Sequence, residues 1–155
     1  MLPLSELLHS KDLLTLSKIL VLKDKVDIEK TYNHWMNTSD KDFVTMMNLF
    51  HSKDYHWSLF IGHIVVERLL KAAVVNQVSD HAPFTHDLTK LAKLTGLAFS
   101  EEYLDWLDTI STFNMNARYD SYKDAFFKKC TLGFTSEWIG KIEILQSWIK
   151  EKLSE

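Results

Sequence analysis

Four side chains that could do chemistry share one narrow stripe of a predicted helix. They are His56, His63, Glu67 and Lys71. At about 100° per residue they fall within about 80° of one another. The surrounding stretch, residues 57–75, contains no proline and is apolar almost all the way round. Because a helix of this kind is normally buried in the centre of a domain, we expect its polar stripe to lie near the functional site.

The stripe allows more than one chemistry. Glu67 precedes Lys71 by one helical turn, the order that favours an intrahelical ion pair. Alternatively, Lys71 meets a phosphate group while Glu67 positions it. His63 and Glu67 have the spacing of two metal ligands, but no third histidine or cysteine lies nearby. We therefore expect no metal ion and no cofactor.

Later segments supply further polar side chains. His86 stands at the start of the next predicted helix, where it either anchors that helix or contacts a ligand. Asn114 and Arg118 are four residues apart and share a face if the helix continues through them. The forked donors of Arg118 suit a phosphate, or the carboxylate of Glu67, and make it the best single site candidate. Tyr119 could stack on a base or pack over the end of the domain.

Length and composition predict one soluble helical domain. The chain has 155 residues with only four glycines and two prolines, which leaves little material for the turns of an all-β protein. The net charge of −3 argues against bulk attraction to nucleic acid, although a local basic groove remains compatible with it. Neither a secretory signal nor a membrane span is predicted. The single cysteine excludes an intramolecular disulfide, so we expect a cytoplasmic protein.

Periodicity predicts an all-α fold: an antiparallel four-helix up-and-down bundle with an N-terminal helical extension and a short extra helix. Residues 1–38 form the predicted extension of two helices, broken at residues 23–27, and residues 39–155 form the bundle. A second break is predicted at residues 37–39, where Ser39 with Asp42 three residues later is a weak capping box. Asp27, Thr85 and Ser100 are predicted N-caps, and Thr135 or Ser136 is predicted to cap the last helix. Gly96 is predicted to end the short helix that begins at Thr85. Residues 114–133 are expected to be an irregular connection with one helical turn at residues 125–127.

Three motifs follow one another at characteristic distances. They are Phe60-x-x-His63-x-x-x-Glu67-x-x-x-Lys71-Ala72, then Phe84-Thr-His86-Asp87-Leu88, and then Phe113-Asn114-x-x-Ala117-Arg118-Tyr119. Together they make residues 39–155 resemble the HEPN domain (higher eukaryotes and prokaryotes nucleotide-binding). The resemblance implies an antiparallel helical bundle, often a homodimer, with a polar groove that meets a nucleotide or RNA. It also implies a nucleotidyltransferase-like partner protein in a toxin–antitoxin or defence setting.

The chain departs from the ribonuclease members of this family in one respect. Those members carry an arginine followed, after four to six residues, by a histidine. Arg118 matches the arginine, but no histidine follows His86 in this sequence. Tyr122 stands four residues after Arg118, and an unperturbed phenol titrates near pH 10, too high for a good base. We therefore expect a binding protein without catalysis. The alternatives are a divergent ribonuclease, in which Arg118 acts with His63 or His86, and a purely structural dimerising bundle.

Overall fold

A computed structural model describes residues 4–155, and within that range the side chains of residues 11–25 and 27–155. The described residues form six helices and no strand. The helices are α1 (Leu4–His51), α2 (Tyr55–Val78), α3 (Leu88–Leu94), α4 (Glu101–Arg118), α5 (Asp120–Lys129) and α6 (Leu132–Ser154). Four long helices with two short ones confirm the predicted all-α bundle. Among the described residues, no helix is long and apolar enough to cross a membrane.

The N-terminal half of the chain is one helix, so the two breaks predicted there are wrong. Helix α1 runs without interruption for 48 residues through residues 23–27 and 37–39. No glycine or proline lies between Leu4 and His51, and lysine, which occupies positions 23 and 25, is a good helix former. Asp27 therefore caps no helix. The division into an extension (1–38) and a bundle (39–155) stays a prediction, and its boundary lies inside α1.

The long helices pack as antiparallel neighbours. Ser39 of α1 donates a hydrogen bond to the backbone oxygen of Val65 in α2, at 2.7 Å. Seven residues later in α1, the backbone oxygen of Met46 accepts from Ser58, at 2.8 Å. From the first contact to the second, the residue number increases in α1 and decreases in α2. The two helices therefore run in opposite directions. Buried hydroxyl groups thus lock the register of this helix pair.

Helix α2 is the centre of the bundle, as its composition predicts. Its residues from Val65 to Val75 are buried with the exception of Arg68, and it contacts every other helix. The approach to α6 is so close that a Cβ atom on Gly62 would lie 2.6 Å from Ile142 Cδ1. A larger residue at position 62 would require the Ile142 side chain to shift. Helix α2 therefore carries its polar side chains into the interior of the domain.

Helix α3 begins two residues later than predicted. Asp87, rather than Thr85, is the N-cap of α3, and its side chain accepts a hydrogen bond from the Lys90 backbone N–H. The Thr85 hydroxyl instead accepts from the backbone N–H of Asp87, at 3.2 Å. Gly96, with a φ angle of +72°, ends this short helix in the left-handed conformation. Ser100 caps α4 as predicted.

The predicted irregular connection is helical over most of its length. Helix α4 continues to Arg118, and after one non-helical residue α5 occupies residues 120–129. Asp120 in the first turn of α5 and two lysines in its last turn complement the helix dipole. Thr131, rather than Thr135 or Ser136, caps α6 by accepting a hydrogen bond from the Phe134 N–H. Thr135 lies within the first turn and is fully buried.

Candidate functional site

Glu67 is the hub of a buried polar cluster at the centre of α2. One carboxylate oxygen, Oε1, accepts a hydrogen bond from Lys71 Nζ at 2.8 Å. The other, Oε2, pairs with His86 Nδ1 at 2.9 Å. Burial raises the pKa of Glu67, but the hydrogen bonds from Lys71 and His86 outweigh it, so the pKa lies below its ordinary value of 4.5. The predicted Glu67–Lys71 ion pair is present, and the carboxylate is ionised at neutral pH.

His63 lies beneath this cluster and is fully buried. Its Nε2 is 3.1 Å from the backbone oxygen of His86. A carbonyl oxygen only accepts hydrogen bonds, so Nε2 carries the proton. The second nitrogen, Nδ1, is 3.7 Å from Glu67 Oε2 and makes no hydrogen bond. Burial lowers the pKa of His63 and outweighs the opposing effects of the His86 carbonyl and of Glu67. His63 is therefore neutral at pH 7 and holds the α2–α3 loop in place.

His86 combines a buried partner with an exposed ring. Its side chain is 56% exposed, whereas the Glu67 side chain to which it bonds is only 9% exposed. The carboxylate requires a proton on Nδ1, so in a neutral ring the lone pair lies on Nε2. Among the described side chains, no hydrogen bond uses that Nε2 atom. A carboxylate that orients a solvent-exposed imidazole suits the acceptance of a proton at Nε2, and the ring protonated on both nitrogens can then donate to an anion.

Arg118 is the exposed cation of the site. It ends α4, and its Nε donates to the backbone oxygen of Asn114 at 3.1 Å. The guanidinium lies 5.8 Å from the ring centres of both Phe60 and Tyr119. Among the described side chains no carboxylate pairs with it, so Glu67 is not its partner. Phe60 precedes His63 by three residues in α2, so contact with the Phe60 ring places Arg118 one helical turn from the buried cluster. Burial is the main cause of the lowered pKa of His63, and the charge of Arg118 adds to it.

The remaining predicted residues divide between this site and other surfaces. Asn114 is buried one turn before Arg118 and supplies the carbonyl that positions it. Tyr119 is 54% exposed and lies against Arg118. His56 belongs elsewhere, since its ring packs against Trp57 and Phe127 at the beginning of α2. Among the described residues, no group of three or more histidine, cysteine, aspartate or glutamate side chains could hold a metal ion.

Aromatic residues at the site were missed as functional candidates in the sequence. Lys71 Nζ lies 5.2 Å from the ring centre of Trp35 and 5.9 Å from that of Phe84. Phe84 is 99% exposed although it is a large apolar side chain. Trp35 comes from the segment that was predicted to be an extension outside the bundle. The signal for Phe84 was present in the sequence, because it precedes His86 by two residues in a loop that contains proline.

Comparison with known proteins supports the fold and the motifs. The family model of the HEPN domain matches residues 32–152, a range that includes Trp35. The chain is similar to a solved crystal structure, that of TT1696 from Thermus thermophilus. The two share 15% sequence identity with a TM-score of 0.67, over 78% of this chain and 97% of that one. No curated protein matches the sequence.

Proposed function

Since this chain belongs to the HEPN domain family, we propose that it binds a phosphate group of a nucleotide or of single-stranded RNA beside Arg118. The observation that carries this proposal is the guanidinium itself. It is exposed, fixed by its bond to the Asn114 carbonyl, and without a carboxylate partner among the described side chains. A guanidinium held in this way offers two parallel N–H donors to a phosphate, the geometry for which arginine is best suited.

The other cations of the site have different parts. Lys71 is only 7% exposed and already bonded to Glu67, so a phosphate would have to break a buried ion pair to reach it. In this proposal Lys71 neutralises the charge of Glu67 and does not contact the ligand. His86 is exposed and needs no such rearrangement, and it donates to the phosphate from Nε2 in the form that is protonated on both ring nitrogens. Arg118 and His86 are therefore the expected phosphate contacts, with Glu67 and His63 orienting His86 from below.

Exposed aromatic rings near the two contacts favour a nucleotide over an inorganic anion. Phe84 packs edge-on to His86, with ring centres 6.2 Å apart, and leaves almost its whole surface in solvent. Tyr119 is exposed beside Arg118. Stacking of a base on an aromatic ring contributes about 1–3 kcal/mol per base and tolerates any base. The expected ligand is thus a nucleotide or a short single strand, bound with little sequence preference.

The test measures binding of a fluorescent ten-nucleotide single-stranded RNA at low salt by anisotropy. We expect Arg118→Ala to weaken binding on the order of tenfold or more, because one charge-assisted contact is lost. The variant should also make the dependence of the logarithm of the binding constant on the logarithm of salt concentration less steep. The expected change in slope is about 0.7, the value for one phosphate contact on a single strand. Lys152→Ala is the matched control. Tyr103 of α4 packs against Trp148, so Lys152 lies at the end of α4 opposite Arg118. Equal effects of the two variants would contradict the proposal.

A divergent ribonuclease is the second candidate, and the Glu67–His86 pair is the observation that favours it. Of the two histidines available to Arg118, His63 is fully buried, whereas His86 exposes a nitrogen that can take the proton from a 2′-hydroxyl group. Incubation of purified protein with the same RNA separates the two functions. Cleavage that is lost in both His86→Gln and Arg118→Ala would establish the ribonuclease. Binding without cleavage supports the first proposal.

The proposals for a partner protein and a biological setting rest on the family resemblance. We propose a nucleotidyltransferase-like partner protein and a toxin–antitoxin or defence setting, as that resemblance implies. The exposed rings of Phe84 and Tyr119 offer such a partner an apolar contact beside the charged site. A neighbouring gene for a nucleotidyltransferase, followed by co-purification of the two products, would support this assignment. Failure of the co-expressed pair to associate would count against it.

A further inference from the structure

The first part of α1 extends beyond the bundle and exposes an unusual amount of apolar surface. Every side chain from residue 11 to residue 25 is exposed, and the first partly buried one described after them is Ile28. Seven large apolar side chains in this stretch are each 54–64% exposed: Leu13, Leu14, Leu16, Ile19, Leu20, Val21 and Leu22. Exposed apolar side chains clustered in this way normally mark a surface that another element or molecule covers. No other described helix covers this one.

One side of this exposed segment carries lysines and cannot pair with the same side of a second copy of the chain. Lys11, Lys18 and Lys25 recur every seven residues and therefore line one face of the helix. Leu14 and Val21 lie among them, where the methylene groups of the lysines can cover part of their surface. If two copies met through this face, lysine would oppose lysine in either relative direction. Like charges at that separation repel, so this face stays in solvent.

The opposite side has the spacing of a coiled-coil seam. Asp12, Leu16, Ile19 and Lys23 follow one another at steps of four, three and four residues, which keeps them on one stripe. Leu16 and Ile19 form the apolar centre of this stripe, and Leu13 and Leu20 lie along one edge of it. Asp12 and Lys23 place opposite charges at its two ends. In a parallel pair of copies, Asp12 would face Asp12 and Lys23 would face Lys23. In an antiparallel pair each aspartate would face a lysine.

We propose that this seam, formed by Asp12, Leu16, Ile19 and Lys23 of α1, pairs antiparallel with the same seam of a second copy of this chain. The two-fold axis passes between residues 17 and 18. Leu16 then packs on Ile19 of the other copy, and Asp12 pairs with its Lys23, each contact occurring twice by symmetry. This interface goes beyond the phosphate site, because it lies on a part of α1 that contributes no residue to that site.

A charge-swap experiment on the full-length protein tests the proposal by sedimentation equilibrium. Asp12→Lys or Lys23→Asp alone places like charges at both ends of the seam. Each should raise the dimer dissociation constant on the order of tenfold, since two exposed ion pairs become repulsive. The double variant restores both pairs in reversed order and should dimerise like the wild type. Lys18→Asp is the control for the change in charge, because it lies on the lysine face and should leave the dissociation constant unchanged.

Leu16→Asp gives a second and larger perturbation. It removes an apolar contact and introduces a carboxylate on both sides of the axis, so we expect a dimer about a hundredfold weaker or more. Circular dichroism should show an unchanged bundle melting temperature, because residue 16 contacts no other described helix. A wild-type monomer at all concentrations would overturn the proposal. A dimer insensitive to Leu16→Asp, or single charge variants without rescue in the double variant, would overturn it as well.

Discussion

Replacement of Glu67 by glutamine should leave a buried positive charge without its counter-ion. The side chains of Glu67 and Lys71 are each only 9% exposed, and their charged atoms are 2.8 Å apart. Removal of one member of a buried ion pair typically costs about 3–5 kcal/mol. Glutamine can still accept one hydrogen bond, and the rings of Trp35 and Phe84 lie near the ammonium group. We therefore expect the lower end of that range, about 3 kcal/mol, which for a chain of this length lowers the melting temperature by about 6–12 °C.

The assay is urea unfolding followed by circular dichroism, with two companion variants. Glu137→Gln disrupts a pair of the same spacing and the same 2.8 Å distance in α6, but Glu137 is 58% exposed, so its loss should cost about 0.5 kcal/mol or less. The double variant Glu67→Gln/Lys71→Met removes both buried charges and should recover most of the lost stability. If Glu67→Gln costs no more than Glu137→Gln, or if the double variant is the least stable, the buried pair does not stabilise the site as described.

Two further predictions concern packing and titration. Gly62→Ala should destabilise the protein by up to about 2 kcal/mol, because crowding of Ile142 Cδ1 at 2.6 Å from the new Cβ costs about 1–3 kcal/mol and the better helix propensity of alanine offsets up to about 1 kcal/mol. Gly140→Ala in α6 has open space and should instead gain up to about 1 kcal/mol in urea unfolding; similar effects at both sites would contradict the close crossing. Because burial lowers the pKa of His63 below 6.5, the unfolded chain binds a proton more readily, and the free energy of unfolding should fall as pH decreases below 6.5. His63→Gln should flatten this dependence between about pH 7 and pH 5, a window above the titration of Glu67, and an unchanged slope would show that His63 is not the group responsible.

The fold was predictable where local signals and burial agree. The nearly continuous apolar surface of α2 indicated a central helix, and Ser100 and Gly96 mark real helix ends. The helix ends predicted within α1 failed for a physical reason. Serine and aspartate favour N-caps but do not prevent a helix from continuing, and Ser39 uses its hydroxyl for a contact with α2 instead. Such a tertiary partner cannot be read from local sequence.

The sequence predicted which residues lie at the site, but not which of them are buried and which are exposed. Helical spacing brought His63, Glu67 and Lys71 together, and all three lie in one cluster with His86. Spacing could not show that Lys71 is buried, because burial depends on Trp35, which is more than thirty residues away in α1. Nor could it distinguish the two histidines, since the exposure of each ring is set by the path of the loop after α2.

Nuclear magnetic resonance of the histidine rings tests the central claim most directly. Adenosine monophosphate would be added to protein with isotope-labelled histidine, the His86 signal being assigned from His86→Gln. We predict that the His86 resonance shifts in a saturable way, that His51 at the end of α1 is unaffected, and that Arg118→Ala removes the shift. A saturable shift at His51 with none at His86, or a His86 shift that persists unchanged in Arg118→Ala, would contradict a phosphate site formed by these two residues.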